Sequence, residues 1–174
     1  MLRGLFDRIV LVAAIAAAAC VPGYIAQYRQ YLAGRLEQVT QDLALFQQIA
    51  DHYHHGSLQA LIAHHFASPD PSFHAEGVAI QTMLETSERL RAGLQALNAD
   101  LLHQLQYLAL HGDPQIAHAV WALYVPSFTL SGESALFAIA AGLIVWLAFL
   151  ALWQLVAYTL RLLRPARSRV YHRY

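Results

Sequence analysis

The chain contains no lysine, a single cysteine and only two methionines, and just 13% of its 174 residues are charged. The lone Cys20 excludes an intramolecular disulfide and any cysteine-based metal site, so whatever folds here is held by packing alone. All eleven basic residues are arginine, which reads as GC-rich coding bias rather than mechanism. Enzyme signatures are missing too: there is no GxSxG, P-loop or GxGxxG string, and no HExxH metal motif. Those absences argue for a non-enzymatic protein. With no ionisable residue at the centre of either apolar run, an ion pathway or proton relay is also disfavoured.

Two long hydrophobic runs are present, at 9–26 and 134–160. Each matches the roughly 20 apolar residues a helix needs to cross a hydrocarbon layer of about 30 Å. Ala17-Ala18-Ala19-Cys20 hints at a lipoprotein cleavage site. However, Ala17 replaces the usual aliphatic residue and the apolar run continues past the cysteine, so the first run reads as an uncleaved anchor. Between the runs, residues 29–133 carry four arginines against ten carboxylates, a net −6. The flanks are basic: Arg3 and Arg8 precede the first run, and Arg161, Arg164, Arg167, Arg169 and Arg173 follow the second. Basic flanks stay on the cytoplasmic side during insertion. The expected topology therefore has a cytoplasmic N-terminus at 1–8, spans at 9–26 and 134–160, a translocated region at 27–133 and a basic cytoplasmic tail at 161–174. An acidic translocated region argues against nucleic acid as a partner. The bilayer itself, and a protein partner or a second copy, remain.

The translocated region reads as helical. Ile25, Tyr28, Leu32, Leu36, Val39, Leu43, Phe46, Ala50 and Tyr53 alternate three and four apart, the seam of a helix lying along another helix. Gly56 stops it, with Ser57 as a cap for a short helix over 58–66. Asp70-Pro71 starts a long helix to about Leu110, whose seam is Ile80, Met83, Ser87, Leu90, Leu94, Leu97 and Leu101, slipping one residue to Leu105 and Leu108. Gly77 and Gly93 should weaken it, and Glu85 and Arg89 should pair along its surface. Gly112-Asp113-Pro114 stops this helix, and 114–126, with Trp121 and Tyr124, suits the membrane surface. The expected fold is all-α: two transmembrane helices joined by an extracytoplasmic, antiparallel, coiled-coil-like hairpin. Leu32, Leu36, Val39, Leu43 and Phe46 meet Leu90, Leu94, Leu97 and Leu101 along its interaction seam.

Histidine is the one abundant reactive type. Nine of the ten fall in the central region, and six (His52, His54, His55, His64, His65 and His74) cluster at the expected hairpin tip. The plainest reading is a solvated surface. A second is a zinc site from Asp51, His52 and His55 on one helical face plus His64 and His65, zinc being the only cofactor this set suggests. A third is a proton switch, since an unperturbed imidazole titrates near pH ~6.5.

Several strings carry a likeness to a known group. They are Leu2-Arg3-Gly4-Leu5-Phe6-Asp7-Arg8, Pro22-Gly23 before a glutamine- and tyrosine-rich stretch, Gly56-Ser57-Leu58 to Ser68-Pro69-Asp70-Pro71, and Tyr124-Val125-Pro126-Ser127-Phe128-Thr129-Leu130. With them the chain resembles the domain-of-unknown-function 2937 family of uncharacterised inner-membrane proteins of Gram-negative bacteria, over nearly its whole length. The resemblance implies location and architecture, and brings no catalytic residues. The expectation is a scaffold or accessory subunit of an envelope complex, the alternative a periplasmic metal- or pH-responsive sensor acting through a partner.

Overall fold

The computed structural model describes residues 2–127 and 131–162, without the side chains of 2–5 and 160–162. Of the basic tail expected at 161–174, Arg161 lies in the last turn described, and Arg164, Arg167, Arg169 and Arg173 lie outside the described residues. Six helices make up the described chain, with no strand: α1 Leu2–Tyr53, α2 Leu58–Phe66, α3 Pro71–Ala96, α4 Leu101–His111, α5 Pro114–Leu123 and α6 Gly132–Leu162. The chain is all-helical, and α1 and α6 are each long and apolar enough to cross a membrane. It divides into two compact units, Gly23–Pro126 and Met1–Pro22 with Ser127–Tyr174.

In the terminal unit the start of α1 packs on α6 through small residues. Ser134 and Ala138 are buried, and one turn further Gly142 lies so close to Ile15 that a Cβ there would come within 2.8 Å of the Ile15 Cα. Small residues at four-residue spacing let two helix backbones approach closely. Phe6 and Phe149 also meet, with ring centroids 6.1 Å apart. Many other apolar side chains are exposed, including Val12, Leu136, Ile144 and Leu152. Ser131 caps α6 by accepting the Ser134 N–H at 3.1 Å. Pro22 sits inside α1 without ending it.

The central unit is built on two buried clusters. One joins Tyr28 and Leu32 of α1 to Leu90, Leu97, Ile116 and Val120. The other joins Leu43 and Ala50 to Leu58, Leu61, Ile62 and Ile80. Residue numbers thus rise along α1 as they fall along α3. Of the expected α1 seam, Ile25, Tyr28, Leu32, Leu43 and Ala50 are buried and Leu36, Val39 and Phe46 half-buried. Tyr53, 78% exposed, lies past the end of the contact.

The turns follow local chemistry. The Gly56 N–H reaches the Ala50 carbonyl at 3.0 Å with φ +79°, a left-handed helix stop that suits glycine. Ser57 accepts the Ala60 N–H at 3.1 Å, and Asp70 the Ser72 N–H at 2.8 Å. The expected single helix from Pro71 to Leu110 is broken: α3 ends at Ala96 and α4 restarts at Leu101. Asp100 explains the break, because its carboxylate accepts the N–H groups of Leu102 and His103, each at 3.1 Å. It is therefore an N-cap rather than a helix-interior residue. Gly77 is also a point of close contact: it is buried, and a Cβ there would sit 3.0 Å from the His65 Cβ.

Candidate functional site

The histidine-rich turn between α1 and α2 is where the sequence points for chemistry. Asp51 accepts from Gln47 Nε2 at 2.8 Å, and His52 is exposed beside Tyr53, ring centroids 6.3 Å apart. His52 and His55 do not share a helical face, contrary to expectation. Helix α1 ends at Tyr53 and His55 stands in the turn with φ +51°, because the chain must reverse at Gly56 to bring α2 back. His54 and His64 come together, rings 5.3 Å apart, and His64 lies 6.2 Å from His65. His65 alone is buried. Its Nδ1 lies 2.8 Å from the Leu61 carbonyl, which only accepts, so that nitrogen carries a proton. Its Nε2 stands 3.5 Å from Glu76, an ion pair only when the imidazole is protonated on both nitrogens. Among the described residues no three or more His, Cys, Asp or Glu side chains gather so as to hold a metal ion.

Two other carboxylates are committed to caps. The Ser72 hydroxyl and N–H hold Asp70 below the usual carboxylate range, and the His103 backbone and ring do the same for Asp100. Glu85 and Arg89 do not pair: Glu85 accepts from Gln81 at 2.8 Å, while Arg89 leans on the Thr86 hydroxyl at 3.5 Å. An exposed pair of this kind gains too little to hold two long side chains in one geometry.

The nine seam positions pack within the chain. Leu32, Leu43, Leu90, Leu97 and Leu101 are buried, and Leu36, Val39, Phe46 and Leu94 half-buried. What remains outward is a second apolar row on α1, one turn apart each: Leu45 at 66%, Ile49 at 43% and Tyr53 at 78% exposure. Ile49 and Tyr53 open onto a shallow groove shared with Leu61, His64, His65 and Phe73. The signal for this row was available in the i, i+4, i+8 spacing, but the stronger seam on the neighbouring face masks it. A contiguous exposed apolar row of this kind is the type of surface that contact sites use.

A family model described as "Protein of unknown function (DUF2937)" matches residues 2–162. No curated protein and no solved structure matches the chain.

Proposed function

The chain belongs to the DUF2937 family, whose description assigns no activity, and we propose from the fold and its surface that it is a non-enzymatic membrane interaction protein, an accessory subunit of a bacterial cell-envelope complex. In this reading α1 and α6 span the inner membrane with both termini in the cytoplasm. The central unit is then an antiparallel helical hairpin in the periplasm. The basic flanks and acidic middle support that topology. The order of residues in the two buried clusters supports the hairpin.

The observation that carries the function is the row Leu45, Ile49 and Tyr53, left uncovered on a helix whose other apolar face is already packed. It is the surface through which a protein partner would dock. The test is affinity purification of the full chain from native membranes in mild detergent, wild type against Ile49→Glu. A partner present in stoichiometric amounts with the wild type and lost from the variant supports the reading. An unchanged set of co-purifying proteins overturns it.

A second reading, a pH-responsive sensor acting through the same partner, rests on the buried His65 facing Glu76 with His54 and His64 alongside. It predicts partner binding that changes between pH 5 and 8 and stops changing in His65→Gln.

A further inference from the structure

Two of the four arginines in the acidic middle of the chain meet at one place. Arg35 of α1 and Arg89 of α3 line a single cavity of about 120 Å³, with Tyr28, Tyr107, His111 and Asp113 on its walls. Among the described residues no carboxylate lies within ion-pair distance of either guanidinium. Two like charges are thus brought to one cavity with no carboxylate in direct contact with either. Asp113 is the one carboxylate on the wall, and it is engaged elsewhere: it accepts the N–H groups of Gln115 at 2.8 Å and Ile116 at 3.4 Å to start α5.

The deeper wall is also short of an acceptor. Tyr28 is 2% exposed, and its hydroxyl accepts the Asp113 N–H at 3.1 Å. Its own proton finds no acceptor among the described residues. Burial pushes that phenol up from its ordinary value, so it stays a donor across the physiological range. His111 stacks on Tyr107, ring centroids 5.6 Å apart, and adds a further positive charge when protonated.

We propose that this cavity binds a phosphate-type oxyanion, held by the guanidiniums of Arg35 and Arg89 and by the Tyr28 hydroxyl. A carboxylate has two oxygens, which one arginine fork satisfies. Two forks and a hydroxyl lining one cavity from α1 and α3 suit a tetrahedral phosphate group, whose oxygens point in more than one plane, better than a planar carboxylate. Leucine and isoleucine side chains of the wall, Leu32, Leu90 and Ile116, keep water from the Tyr28 hydroxyl and strengthen its contact. The same chemistry is offered by free phosphate or phosphomonoesters and by the headgroup of an anionic phospholipid. Position allows the second source, since Tyr28 follows the predicted span end at residue 26 by two residues.

The full chain is purified in neutral detergent and also reconstituted in phosphatidylcholine nanodiscs with and without phosphatidylglycerol. One arm measures the melting-temperature shift with inorganic phosphate against chloride at equal ionic strength. The other measures, by native mass spectrometry, phosphatidylglycerol retained on release from the nanodisc. Both are repeated with R35Q/R89Q and with R35K/R89K, the lysine pair keeping the charge without the fork. Losing charge-assisted hydrogen bonds of this kind weakens binding by about tenfold or more, so the glutamine pair should lose the effect and the lysine pair fall between. A response to phosphate identifies a soluble oxyanion, and retention of phosphatidylglycerol alone identifies the headgroup. Either supports the proposal if the arginine variants weaken it. No response in either arm overturns it, as does binding that both variants leave within about twofold of wild type. Both arginines are surface-exposed, and unliganded melting curves verify the fold of each variant. If the glutamine pair does not fold, the lysine pair decides alone.

Discussion

Replacing Ile80 by alanine tests whether the central unit is held together by contact among α1, α2 and α3. Ile80 is fully buried, in a cluster with Leu43 and Ala50 of α1 and Leu58, Leu61 and Ile62 of α2. The substitution removes three carbons, about 2.5 kcal/mol at roughly 0.8 kcal/mol each. The cavity left between three helices adds to this, bringing the loss to about 3–4 kcal/mol. For a unit of roughly 100 residues, each kcal/mol moves the midpoint by about 4–8 °C, so the midpoint should fall by at least about 12 °C. The assay is thermal unfolding of the full chain in detergent, followed by circular dichroism, where the micelle keeps the apolar helices of the terminal unit folded and the transition reports the central unit. The control is Leu45→Ala, a change of similar size at 66% exposure, expected within about 0.5 kcal/mol of wild type. Equal shifts for the two variants, or a shift below about 3 °C for Ile80→Ala, would refute the packing argument.

Further expectations follow from single contacts. Gly142→Val should separate α6 from the start of α1, because its side chain would meet the Ile15 backbone, whereas Gly132→Val has open space; limited proteolysis in detergent should cut the first variant faster and leave the second unchanged. Asp100 is held below its ordinary range by the hydrogen bonds from His103, so its capping contribution is complete above the unfolded carboxylate range and is lost as pH falls through the lower folded value. Asp100→Asn should accordingly flatten the acid side of the stability–pH curve, falling below wild type at neutral pH and converging with it at low pH, as thermal unfolding across pH would show. In a Cys20→Ser background, a cysteine at Gln48 should react with a membrane-impermeant maleimide applied from the periplasmic side, and one at Ser168 only after the membrane is broken; the reverse pattern would refute the topology.

The helices were legible where period and cap agree. The alternation from Ile25 to Ala50 and from Ile80 to Leu101 marks the faces that are buried, and Ser57 and Asp70 cap as their positions suggest. The break at Asp100 was hidden by the same periodicity. Leu97 and Leu101 keep the seam's register across it, so hydrophobic spacing alone sees one helix, while the capping chemistry of Asp100 decides for two. His55 was misplaced for a similar reason: the turn needs a left-handed residue at Gly56, and the reversal takes the preceding histidine off the helix. Gly77 and Gly142 illustrate a further limit, since a glycine that permits close approach and one that merely weakens a helix look alike until the neighbour is known. The arginine-lined cavity was not legible at all, because Arg35 and Arg89 lie on helices far apart in sequence and meet only through the packing of Leu32 on Leu90.

The most direct measurement of the proposed function is site-specific photo-crosslinking in intact cells, with a photoreactive side chain at Leu45, Ile49 or Tyr53 and, as controls, at Ala44 and Gln48 on another exposed face of the same helix. The account predicts that the three row positions capture one common protein and the two controls do not. Capture of the same products from every position, or of lipid alone from the row, would contradict it.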